Sequence, residues 1–199
     1  MTLYHPPDVD ECSDAWGANC GPCALAAALG VPVRGVFEAV AERSLVDDQI
    51  PLPLSTFRGW MGIGHMEDAI LCLTGRHPTV VRGLPAEGTV AVACVQWSGP
   101  WNFTRGAAVH RHWVAIRTDE SRPGEGWTSV LLYDVNATHR VELTTVHGTE
   151  IPVRVSTELV HRSGGWVALD NWERALVPRL LPNRADGKWW VQWAGVLRL

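Results

Sequence analysis

Where apolar residues recur periodically in this chain, their spacing is helical between about residues 22 and 74 and strand-like beyond about residue 78, and that change of period decides the fold class. From Pro22 to Leu29 run small and aliphatic residues of high helix propensity, with Pro22 in the tolerated first turn and Gly30 placed as a stop. The run predicts a short, mostly buried helix. Val33, Val36, Phe37 and Val40 recur at helical spacing within 33–44, and 66–73 does the same ahead of Gly75. Beyond them, 89–97 is almost continuously apolar, as a central strand is, and 109–117, 127–135, 151–156 and 189–199 read as further strands. Asp170 is placed to cap a last helix through Leu176. Residues 1–18 read as an irregular arm and 75–88 as a surface connection. Because the βαβ alternation of a parallel sheet is missing, the expectation is an α+β domain, with N-terminal helices packed on a C-terminal antiparallel sheet.

A length of 199 residues suits one domain spanning 1–199, and 46% apolar against 19% charged residues is the balance of a folded chain. The formal charge of −4 and the scattered Lys and Arg residues leave no basic footprint for nucleic acid or an anionic membrane. The first residues lack the basic and apolar regions of a signal peptide, and no window reaches the ~18 apolar residues of a span. A cytoplasmic protein without membrane or nucleic-acid partners is expected. Five cysteines are an odd number, and Cys72 and Cys94 lie in apolar runs, so no disulfide framework is expected.

Chemistry concentrates at Cys20-Gly21-Pro22-Cys23. The same four letters mark thioredoxin redox centres, but there they follow a buried strand, and the ten residues before Cys20 contain no strand-like run. Zinc is the other rival: Cys20 with Cys23 and His110 with His112 make four possible ligands, yet Cys23 enters an Ala-rich helix and no second close-spaced cysteine pair exists. The reading that needs least is a nucleophile. At a helix N-terminus the unsatisfied N–H groups favour the thiolate, which requires a histidine base and a residue to orient it. His112 opens an apolar strand, and the next strand ends at Asp134 with Asn136 just beyond. In an antiparallel pair the start of one strand lies beside the end of the next, so His112 can meet Asp134, or Asn136 in its place. Cys23 remains an alternative nucleophile, though its Ala-Leu-Ala sequel points it inward. Gln96, Trp97, Trp101 and Trp113 fit either a substrate groove or the core.

The ordered set NCGPCALAAALG, HRHWVAIR and LLYDVNA resembles the papain-like cysteine peptidase superfamily, in particular the leader peptidases of bacteriocin exporters. GWVALDNWERALVP is also similar to papain-like proteins of phages and mobile elements. The resemblance implies a papain-like fold, a peptide or protein substrate, no cofactor and no metal. It casts Cys20 as nucleophile, His112 as base and acid, and Asp134 as orienting residue. It also expects a glutamine six residues before the cysteine to bind the oxyanion, where this chain has Asp14. Asn19, or the indole N–H of Trp16, would have to stand in beside the Cys20 backbone N–H. The expected activity is hydrolysis of a peptide or isopeptide bond through an acyl-enzyme; the alternatives are acyl transfer by the same triad, or a binding module that kept the fold without the activity.

Overall fold

The computed structural model describes residues 3–16, 20–46, 61–97, 111–118, 130–137, 141–146, 149–154, 164–173 and 191–199. Helices α1 (Val9–Trp16), α2 (Cys20–Leu29), α3 (Val33–Val46) and α4 (Ile63–Thr74) come first. Strands β1 (Thr79–Val81), β2 (Val90–Trp97), β3 (Arg111–Thr118), β4 (Val130–Asp134), β5 (Val141–Val146), β6 (Thr149–Arg154) and β7 (Gly165–Ala168) follow. A turn of helix, α5 (Leu169–Asn171), and strand β8 (Val191–Arg198) close the described chain. The architecture is α+β. Six strands form one antiparallel sheet in the order β1-β8-β2-β3-β4-β7, and β5 with β6 makes a separate two-stranded sheet.

Strand β2 reads as nearly continuous apolar sequence because both faces of the sheet are covered there. Val92 and Cys94 join Trp113, Ala115, Tyr133 and Leu197 on the face against α2. Ala91, Ala93 and Val95 join Val114, Ile116, Leu132 and Val196 on the other, where Trp172 packs. Helix α2 is apolar on every side for the same reason: Gly21 through Ala27 are all buried. It ends where Gly30, at φ 73°, donates its N–H to the Ala26 carbonyl over 2.9 Å.

Three expectations are corrected. The segment read as an irregular arm contains α1, whose Val9 and Cys12, one turn apart, are buried in the helical layer. Around Val9 and Cys12 the sequence shows no apolar period, so docking and not pattern stabilises this helix. Asp8, just ahead of it, reaches across 25 positions to accept the Val33 backbone N–H at 2.9 Å, and it also accepts that of Arg34 at 2.9 Å, so the arm caps α3. Within the supposed surface connection lies β1, an exposed edge strand defined by backbone pairing to β8. Finally, Asp170 is not a cap: Ala168 is the N-cap of α5, without a side-chain bond, and Asp170 stands exposed in the first turn. The rest of the expected helix, from 174 to 176, lies outside the described residues.

Candidate active site

Cys20 is the first residue of α2, and its position follows from how that helix end is docked. A Cβ on Gly21 would lie 3.0 Å from the Met61 Cβ, so glycine lets the helix mouth approach the chain at 61 without displacing the Met61 side chain. The Met61 carbonyl in turn accepts the Trp113 indole N–H at 2.8 Å in the buried interior. Helix mouth, residue 61 and the beginning of β3 are thereby tied together. The Trp113 backbone N–H donates to the Cys20 sulfur, and the His112 side chain is hydrogen-bonded to it.

His112 is the second residue of β3 and Asp134 the last of β4. The register pairs Ala115 with Tyr133 and Ile116 with Leu132, so His112 and Asp134 share the face of Val114 and Leu132 as diagonal neighbours, within reach of long side chains. Their contact is direct: 2.9 Å from His112 Nε2 to Asp134 Oδ1. That leaves Nδ1 as the ring nitrogen for Cys20. Across the sheet His112 pairs with Val95, where β2 shifts register against β8 between Cys94 and Val95; such bulges commonly re-aim strands beside a site.

Asp134 is fully buried and surrounded by donors. Oδ1 also accepts the Asn136 backbone N–H at 2.8 Å, and Oδ2 accepts the indole N–H of Trp172 at 2.7 Å. Burial alone would raise its pKa; His112 and these donors outweigh it and hold the carboxyl below its ordinary value. For His112, burial favours the neutral ring, but the adjacent Asp134 carboxylate reverses that and lifts the imidazolium to about 10. Burial likewise opposes the Cys20 thiolate, and the hydrogen bond and charge of His112 overcome it, so the thiol pKa is lowered. The three groups stand in line, and each biases its neighbour toward the charged form: Cys20 toward thiolate, His112 toward imidazolium and Asp134 toward carboxylate.

Cys23, three residues along the same helix, has the opposite character. It is fully buried, and desolvation, followed by the charge of Cys20, pushes its thiol well above the ordinary range. Asn136 contributes its backbone N–H to Asp134, while the residue itself is exposed. Trp113 is a core residue with its N–H on Met61. Asn19, His110 and Trp101 lie outside the described residues; Asp14 and Trp16 fall on α1 and Gln96 and Trp97 on β2, with side chains outside the described set. Sequence reasoning missed Trp172. The only available signal was that a buried carboxylate needs donors on both oxygens, which does not choose among eleven tryptophans.

Among the described residues no group of three or more His, Cys, Asp and Glu side chains is placed to hold a metal, and every strand follows α2 in the chain, unlike the strand-then-CGPC order of a thioredoxin. No single described helix is long and apolar enough to cross a membrane. Comparison of the chain with protein-family models, with curated proteins and with solved structures finds no match.

Proposed function

We propose that this chain is a papain-like thiol hydrolase that cleaves an amide bond, peptide or isopeptide, through an acyl-enzyme on Cys20. The observation that carries the reading is the hydrogen-bonded line from the Cys20 sulfur through His112 to Asp134, with the thiol lowered and the imidazole raised in pKa. A sulfur biased toward thiolate is the nucleophile that acyl transfer needs, and an imidazolium beside it is the acid for the leaving amine. Helix α2 supplies the sulfur, β3 the base and β4 the orienting carboxylate, in the chain order that the resemblance to papain-like peptidases requires.

In the first half-reaction the Cys20 thiolate adds to the scissile carbonyl carbon. The negative charge moves to the carbonyl oxygen, for which the backbone N–H groups of Cys20 and Gly21, at the open end of α2, would be the donors. His112 gives its proton to the departing amine nitrogen as the C–N bond breaks, leaving a thioester and a neutral imidazole. Asp134 keeps the ring in one orientation, Nε2 toward the carboxylate and Nδ1 toward the sulfur. In the second half-reaction the neutral imidazole takes a proton from water, hydroxide adds to the thioester, and the carboxylic acid leaves as the thiolate reforms. Proton and charge balance over the cycle without any cofactor.

The test is a peptidyl vinyl sulfone panel at pH 6 with mass mapping, followed by turnover of a fluorogenic peptide library in ¹⁸O-labelled water. Expected are a single adduct on Cys20, absent in Cys20→Ala, and one ¹⁸O in each new carboxyl group. Labelling no faster than a free thiol, with no turnover, overturns the hydrolase reading in favour of a binding module. A product carrying an added amine in place of ¹⁸O overturns it in favour of acyl transfer.

A further inference from the structure

Asp134 is held by a residue from a distant part of the chain, in a way that bears on the chemistry of the site. We propose that Trp172 is a positioning residue for the Cys20–His112–Asp134 line: its indole N–H fixes the rotation of the Asp134 carboxylate and so keeps Oδ1 on His112. The inference rests on the hydrolase reading above and names a residue that acts through Asp134 without touching substrate.

Three N–H donors surround the carboxylate, and they are unevenly shared. Oδ1 takes both His112 Nε2 at 2.9 Å and the Asn136 backbone N–H at 2.8 Å, whereas Oδ2 takes Trp172 Nε1 at 2.7 Å. Both Asp134 and Trp172 are wholly buried, so water does not substitute for a lost donor. An indole N–H only donates. A neutral carboxyl in this place would have to set its own proton against one of the three donors, so the pocket accepts the carboxylate and rejects the acid. Rotation of the carboxyl about its Cβ–Cγ bond would strand the indole and the imidazole together.

The backbone around Trp172 is built to reach this point. Strand β7 pairs with β4, Gly165 standing opposite Asp134, and the chain passes directly from β7 through α5 to Trp172. Just before β7, Gly164 sits at φ 74°, and a Cβ there would come within 2.6 Å of the Asp134 carbonyl oxygen. The β7–α5 segment therefore grips Asp134 twice, by its backbone at 164–165 and by the indole at its carboxylate. Without the indole N–H, the buried Oδ2 loses its only donor among the described residues, Asp134 holds the imidazolium less firmly, and the Cys20 thiolate retreats toward thiol.

The experiment replaces Trp172 with phenylalanine and, separately, with the isosteric β-(3-benzothienyl)alanine, which exchanges only the N–H for sulfur. Thiolate absorbance near 240 nm is titrated, and the iodoacetamide rate at Cys20 is measured at pH 6. Expected is an upward move of the thiolate midpoint by about one pH unit and a roughly tenfold slower alkylation at pH 6, with KM for a fluorogenic peptide unchanged. A folded isostere variant with the wild-type titration overturns the role of Trp172. Should neither variant fold, the assigned indole ¹H–¹⁵N resonance of Trp172 in the unsubstituted protein decides: a resonance that shifts when Cys20 is alkylated supports the role, and one that ignores alkylation overturns it. A wild-type Cys20 that titrates like a free thiol contradicts the hydrolase reading instead, and the two failures are thus distinguishable.

Discussion

Cys20 and Cys23 carry the same thiol three residues apart, and their surroundings lower the pKa of one and raise that of the other. At Cys20, half-buried, His112 and the Trp113 N–H overcome the cost of burial; at Cys23 nothing does. Cys12 is likewise pushed up to about 12 by burial and by the Asp8 carboxylate. Iodoacetamide at pH 6 is therefore expected to modify Cys20 ahead of Cys12 and Cys23, as read by peptide mapping at short times. His112 carries a second prediction. Its folded pKa of about 10 stands above the ordinary 6.5, so its contribution to stability is fully present below about 6.5 and is lost as pH rises through about 10. The difference in unfolding free energy between wild type and His112→Gln should shrink over that window in urea melts at stepped pH; a constant difference would mean that the imidazolium is not held. Asp134 acts at the acid end, where its lowered pKa means stability is lost only as pH falls below the ordinary 3.8 toward the folded value. At this scale Cys20, His112 and Asp134 were legible because each stands at the end of a strongly patterned element. Trp172 was not, because nothing local distinguishes an indole that meets a carboxylate 38 residues away from one that fills the core.

Elements were legible where burial imposes a period and illegible where other forces set the structure. Helices α2, α3 and α4 and strands β2, β3, β4, β6 and β8 follow apolar patterns, and their bounds fall within a few residues of those expected. Helix α1 is stabilised by docking and β1 by ladder bonds to β8, neither of which leaves a periodic mark. Strand β7, four residues long, and β5 are too short or too polar to stand out. Two substitutions test what positions the site. Gly21→Ala sets a methyl against the Met61 side chain at 3.0 Å, and overpacking of this kind costs about 1–3 kcal/mol. The expected outcome is a lower Tm together with slower Cys20 alkylation, since the helix mouth must shift; alkylation at the wild-type rate would show that the sulfur is placed by other contacts. Asp8→Ala removes the acceptor for the Val33 and Arg34 N–H groups and should cost about 0.5–2 kcal/mol in denaturant melts, leaving the Cys20 titration unchanged.

For the molecule as a whole, the site is assembled from a helix near the start of the chain, two central strands and a segment beyond residue 164, and each part is fixed by the sheet. Segregation of helices ahead of strands was readable because it is a property of the entire pattern, and it gave the α+β class directly. The strand order was not, since β8 inserts between β1 and β2 from the far end of the chain and local sequence carries no record of such a partner. Everything in the functional reading depends on one electrostatic state, the thiolate of Cys20 held by the imidazolium of His112. The most direct test is the pH titration of thiolate absorbance near 240 nm in the wild-type protein, in Cys20→Ser and in His112→Gln. One thiol should titrate below the ordinary 9.0 in the wild type, be lost in Cys20→Ser, and return to titration near or above 9.0 in His112→Gln. A wild-type titration already near 9.0, indifferent to the loss of His112, would contradict the account.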